Sequence, residues 1–132
     1  LKSLNMIQIA IDQIIGKLIT DNYLNETRYA QSYARGKFRI KKWGKIRILS
    51  QLKFRGISAW NIKKGMQEID SGEYLDTFET LFDQIWNQYR HLDFINCQKK
   101  VCNRLQYRGW ENELIFDAIR NKKGKEFLEG KF

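Results

Sequence analysis

Proline is absent from this chain, so the strongest breaker of helical periodicity is missing throughout its 132 residues. Histidine occurs once, and His91 has no Cys or second His at ligand spacing, so no metal site is expected. Only two cysteines exist, Cys97 and Cys102. Five residues apart, they lie about 140° apart on a helix at ~100° per residue, which excludes a bridge within one helix. Reduced, cytosolic thiols are expected, with Cys102 as a small buried apolar residue because it matches Leu49 in the repeat described below. No apolar run approaches bilayer length and no signal-peptide pattern opens the chain, so no membrane role and a cytoplasmic location are expected. A phosphate-binding Gly-x-x-x-x-Gly-Lys-Ser/Thr loop is missing, and hydroxyl nucleophiles have no recognisable base partner. The expectation is a non-enzyme with no catalytic residue and no cofactor.

The last absence is the most local. Between Thr27 and Gln67 there is no Asp or Glu, but there are twelve Lys or Arg. The rest of the chain holds 12 basic and 15 acidic residues, so this one segment exceeds the whole net charge of +9. A field of one sign repels itself and calls for an anionic partner, either nucleic acid or an acidic protein surface.

What is present is a repeat. Leu52-Lys53-Phe54-Arg55-Gly56 returns 53 residues later as Leu105-Gln106-Tyr107-Arg108-Gly109, with Ile48, Leu49, Ile57 and Ile62 falling on Val101, Cys102, Trp110 and Ile115. A second register of 51 residues places Leu1, Met6, Ile11 and Ile15 on Leu52, Ile57, Ile62 and Met66. A period near 50 that keeps apolar type marks tandem structural modules and directs attention to an extended surface. Helical stripes fill each module: Tyr29, Ala30, Tyr33, Ala34 and Phe38 in one, Phe78, Leu81, Phe82, Ile85, Trp86 and Tyr89 in the next.

The middle module reads as helices over about 26–39, 45–54 and 59–69, with Asn25 capping the first, Gly56 stopping the second and Ser58 capping the third. Asp76 with Glu79 reads as a capping box for the stripe that follows. The expected division is 1–22, the last helix of a truncated first repeat with its linker; 23–72, a second three-helix repeat, turning at Gly72; 73–120, a third; and 121–132, a frayed basic tail. Leu1 then lies inside a repeat, so an N-terminal part is expected to be missing. The fold class is all-α, tandem three-helix repeats in an elongated, curved array.

Asp21-Asn22-Tyr23-Leu24-Asn25-Glu26-Thr27-Arg28-Tyr29-Ala30 followed by Gly36-Lys37-Phe38-Arg39-Ile40-Lys41-Lys42-Trp43-Gly44 gives a helix opening and a basic stretch before a second helix. Together with the two Leu-x-aromatic-Arg-Gly turns, this pattern resembles the RecX family, bacterial regulators of the RecA recombinase, over nearly all of residues 1–119. The resemblance implies three tandem three-helix repeats, no enzymatic activity, and association with the RecA filament that restrains its ATP turnover and strand exchange. Family members are also reported to bind DNA. A monomer is expected.

The binding face expected from charge and resemblance together is Arg35, Lys37, Arg39, Lys41, Lys42, Trp43, Lys45, Arg47, Lys53 and Arg55. No carboxylate lies near Lys37, Arg39, Lys41 and Lys42 in sequence. Arg and Lys suit phosphate, through a planar fork of donors and a mobile point charge respectively. The same charges suit an acidic groove on a protein, and a solvated helix face is the plain alternative. Trp43 is the expected interface aromatic, Trp60 is expected to be partly exposed, and Trp86 and Trp110 are expected in the core. Arg55 and Arg108 read equally as matched ligand contacts or as cations bonding the carbonyls at their own helix ends. The rival function is a helical nucleic-acid-binding module acting through the basic middle repeat.

Overall fold

The computed structural model describes residues 2–129, with side chains for 6–17 and 25–125. Six helices and no strand occur among the described residues: α1 (Lys2–Arg39), α2 (Lys45–Phe54), α3 (Ala59–Met66), α4 (Ser71–Tyr89), α5 (Phe94–Tyr107) and α6 (Asn112–Glu129). The all-α expectation holds.

Several boundaries differ from the sequence reading. α1 is continuous, so Asn25 caps nothing and the division at 22/23 falls inside a helix. No proline or glycine occurs between Gly16 and Gly36 to stop it. α4 starts at Ser71 because the Asp70 side chain accepts the Glu73 N–H at 2.9 Å, one turn before the box read at Asp76. The division at 72/73 therefore also lies within a helix, and Gly72 is helical. α6 continues to Glu129 instead of fraying at Asn121; Lys and Glu are good helix formers, and the single Gly124 costs only about 1 kcal/mol. α3 ends at Met66, where the Glu68 and Ile69 amides bond carbonyls three residues back and tighten the last turn.

The paired glycine turns are the same structure twice. After α2, the Gly56 amide bonds the Lys53 carbonyl and the Ile57 amide bonds the Leu52 carbonyl; after α5, Gly109 and Trp110 do the same to Gln106 and Leu105. Both glycines have positive φ, 75° and 90°. This double bond satisfies carbonyls that a helix end leaves orphaned, and only glycine takes the left-handed conformation without strain.

α3 packs on α1 through small residues and side-chain bonds at helical spacing. Glu26 Oε1 accepts the Ser58 amide at 2.9 Å, Thr27 Oγ1 donates to Asn61 Oδ1, and Gly65 lies against the Ala30 carbonyl. A Cβ at Gly65 would fall 2.8 Å from that oxygen, so the crossing is as close as it is because the residue is glycine. Ser58 also caps α3 by accepting the Asn61 amide, as expected.

One apolar cluster runs through all six helices. Ala30, Ala34 and Phe38 meet Ile48, Leu52 and Ile62; Phe78, Phe82, Ile85 and Trp86 meet Val101, Leu105, Ile115 and Ile119. Leu52 and Leu105 have no exposed surface. Cys97 is the buried thiol and Cys102 only half-buried, which corrects the burial expected of Cys102; its partner position Leu49 is half-buried too. Trp110, 1% exposed, closes the centre. Its ring stacks on Tyr74 at 4.5 Å and lies 6.5 Å from Phe38 and 5.4 Å from Phe78. Such pairs contribute about 0.5–1.5 kcal/mol each beyond area burial. Because Phe38 lies in the last turn of α1 and Phe78 on α4, this aromatic knot joins the first three helices to the last three.

Candidate anion-binding surface

The joint between the two helical groups places the basic segment. Under the 53-residue register Lys45 matches Gln98, yet α5 begins earlier, at Phe94. α2 is thus about a turn shorter at its start, which leaves residues 41–44 as an open strap. The strap's carbonyls are taken by the last three helices: Trp110 Nε1 donates to the Lys42 carbonyl at 3.0 Å and Arg108 Nη1 to that of Lys41 at 3.3 Å. The first amides of α2 are satisfied from the same side. Gly44 N–H bonds the Arg108 carbonyl, Ile46 N–H bonds that of Gly109, and Lys45 N–H bonds the Tyr74 hydroxyl at 2.9 Å. Tyr74 in turn donates to Glu111 Oε1 at 2.6 Å. Burial first and the Glu111 bond second push the Tyr74 hydroxyl above its ordinary pKa, so it stays a donor.

Over this joint lies an alternating row of cations and rings. Arg55 stands 5.0 Å from the Tyr33 ring centre, and Lys37 stands 5.5 Å from Tyr33 and 4.9 Å from Trp43. Arg47 stands 4.1 Å from Trp43 and 4.6 Å from Tyr107, and donates through Nη1 to the Tyr107 carbonyl. The row therefore runs Arg55, Tyr33, Lys37, Trp43, Arg47, Tyr107, and crosses from one helical group to the other. Each cation–ring contact is worth about 0.5–1 kcal/mol when exposed and holds a long side chain in place. The Tyr33 hydroxyl is buried and meets no partner at hydrogen-bond geometry. Its closeness to Arg55, with Tyr29 beyond, raises the guanidinium's pKa above the ordinary value.

At its Tyr107 end the row opens into a cleft of about 480 Å³ lined by Lys41, Trp43, Arg47, Arg104, Tyr107 and Arg108. Four of the six are cations, two are aromatic, and no carboxylate lines it.

Of the ten residues expected on the binding face, Lys37, Lys41, Trp43, Arg47 and Arg55 come together here. The others do not. Arg35 pairs with Glu68 at 3.5 Å and Arg39 with Glu73 at 3.3 Å, so the segment that is acid-free in sequence is not acid-free in space. Both pairs are exposed and stabilise by only about 0–1 kcal/mol, but they offset two charges. Lys42 shares a cleft with Asp76, and Lys45 lies over Tyr74 beside Glu111 and Glu113. Lys53 borders an apolar groove with Leu49, Ile57, Ile62 and Met66. Trp43 is half-buried against the core instead of standing free in a linker. Trp60, Trp86 and Trp110 lie as expected, the first half-exposed and the others buried. The carbonyl-bonding reading of the paired arginines does not hold: Arg108 bonds a carbonyl of the strap, not of its own helix, and Arg55 lies over Tyr33.

Tyr33, Arg104 and Tyr107 were not anticipated. Tyr33 read as core from its stripe, and the other two lie outside the acid-free segment. The pentad repeat pointed at 105–109 but carried no sign that its end would fold back over Arg47.

Among the described residues no group of three or more His, Cys, Asp or Glu is placed to hold a metal, and no helix is long and apolar enough to cross a membrane.

Residues 25–66 match the family description "RecX, second three-helix domain". A crystal structure of RecX from Lactobacillus salivarius aligns with a TM-score of 0.67 and 27% identity, over 85% of this chain and 72% of that one. In sequence and fold the chain thus resembles the RecX family. Proteins named regulatory protein RecX are similar to it in sequence: that of Lactobacillus johnsonii at 28% identity over 80% of this chain, and that of Bacillus cytotoxicus at 25% over 82%. The chain spans about two fifths of the length of these RecX relatives, 39% and 40%. The RecX segment recognised, 25–66, contains the whole strap and most of the cation–ring row; Tyr107 lies beyond it.

Proposed function

We propose that this chain is a non-enzymatic regulator that binds the filament of the RecA recombinase and restrains its recombination and ATPase activities. The observation that carries the reading is the row from Arg55 to Tyr107, which holds three cations over rings at fixed spacing across two helical groups. Charge fixed before binding loses less side-chain entropy on contact than free lysines would. A surface that spans two packed modules also suits a partner built of repeating subunits.

The test is cosedimentation with a RecA filament and its ATP turnover, comparing the wild-type chain with a Lys37→Glu/Lys41→Glu/Arg55→Glu variant of unchanged helicity. Loss of both cosedimentation and restraint is expected. Full activity of the variant would remove the row from the interface.

A second reading, a helical nucleic-acid-binding module, is favoured by one feature: the cleft at the Tyr107 end combines exposed aromatic surface with cations and no acid.

A further inference from the structure

The charge of the row explains attraction to an anion but not the exposure of Tyr107. Tyr107 is 75% exposed. Phe54, its counterpart in the other module, is 86% exposed. Tyr107 differs from Phe54 in what surrounds it. Arg47 covers one part of the ring at 4.6 Å and is tied to the Tyr107 carbonyl, so the platform is held from below. Arg104 and Arg108 flank it on its own helix end, and Lys41 faces it from the strap.

We propose that this cleft takes an unpaired nucleotide of a single nucleic-acid strand, with the base stacked on the open surface of Tyr107 and the flanking phosphates held by Arg104, Arg108 and Lys41. The inference rests on the reading of this surface as anion-binding and assigns its ligand at one end. Stacking on an exposed ring needs a base free of its own neighbours, which a duplex does not offer. An acidic peptide would use the four cations but gain little from the tyrosine. Arg108 already donates one guanidinium N–H to the Lys41 carbonyl, which orients the fork and leaves other donors available. The cleft draws on both helical groups, so a bound strand would contact the strap and the α5 terminus together.

The experiment is fluorescence anisotropy of the whole chain, without any recombinase, using labelled oligothymidine, an abasic phosphodiester oligomer of equal length, and a blunt duplex. Tyr107→Ala should weaken oligothymidine roughly 5- to 150-fold, the range for one lost base–aromatic stack. Tyr107→Phe should bind as wild type and keep the wild-type melting temperature, and Tyr107→Ala should lower it only slightly, through loss of the Arg47–ring contact. Arg104→Ala should lower the slope of log affinity against log salt by about one, while Tyr107→Ala leaves that slope unchanged. Equal affinity of Tyr107→Ala and wild type for oligothymidine would overturn the proposal, as would abasic or duplex probes binding as tightly as oligothymidine. Filament restraint that survives Tyr107→Ala while oligothymidine binding falls would leave this site intact and separate it from the filament interface. Filament restraint lost in the charge-reversed variant would not rescue the site if the tyrosine effect is absent.

Discussion

Gly44 and Gly109 touch backbone to backbone: a Cβ on Gly44 would run into the Gly109 carbonyl, and a Cβ on Gly109 would run into Arg47. The two glycines belong to different three-helix groups, and their contact is where the strap meets the α5 terminus. Gly44→Ala should therefore cost about 1–3 kcal/mol through forced separation of two backbones. Urea denaturation would measure it, and a loss below a few tenths would show that the joint yields.

Gly56 and Gly109 occupy the same turn with similar φ, but their surroundings differ. Nothing lies within 4 Å of a Cβ at Gly56. Gly56→Ala should cost about 1–2 kcal/mol, the left-handed strain alone. Gly109→Ala adds the clash with Arg47 and should cost about 2–5 kcal/mol. Parallel denaturation of the two variants checks the difference, and equal losses would contradict it.

Tyr74→Phe keeps the ring on Trp110 but leaves the Lys45 amide and the Glu111 carboxylate without the hydroxyl. A loss of about 1–3 kcal/mol is expected. Its pH dependence has a definite sign. The folded-state pKa of Tyr74 is raised, so the folded protein holds this proton more tightly than the unfolded chain does. The contribution is fully present below the ordinary tyrosine value of about 10 and is lost as pH rises beyond it. The stability gap between wild type and Tyr74→Phe should therefore narrow above about pH 10, as followed by denaturation in alkaline buffers.

Lys42 is the single non-glycine residue with positive φ among those described, at 58°. Lys42→Gly should raise stability by a few tenths to about 1 kcal/mol, since glycine relieves the left-handed strain at some entropic cost. The Trp110 bond to this residue's carbonyl does not depend on the side chain. A lowered melting temperature would show that Lys42 contributes through contacts with its neighbours.

Leu52→Ala and Leu105→Ala should each cost about 2–5 kcal/mol, because both side chains are wholly buried at matched positions. Trp43→Ala should cost less than either. Its half-buried packing against Tyr33 makes the gap narrower than a free linker residue would give.

The helical content, the glycine turns and the buried leucines could be read from sequence because each rests on a local rule: spacing, φ preference or repeat register. Helix starts at Ser71 and through Asn25 could not, since several Asp and Asn residues competed as caps and only tertiary packing chose among them. The site was half legible. Charge selected Lys37, Lys41 and Arg47, but sequence distance hid Glu68 and Glu73 from Arg35 and Arg39. It also hid Tyr107, which reaches Arg47 from 60 residues away. One-dimensional charge counts see neither relation.

The strap also bears on how the two repeats can come apart. Gly44 offers no side-chain cap to α2, so the first amides of that helix depend on Arg108, Gly109 and Tyr74. Separating the groups strands those amides, the Lys41 and Lys42 carbonyls and the Trp110 indole at once. Two copies of one motif thus share a single cooperative melting unit, and neither is a spare part that could be excised, shuffled or duplicated without its neighbour.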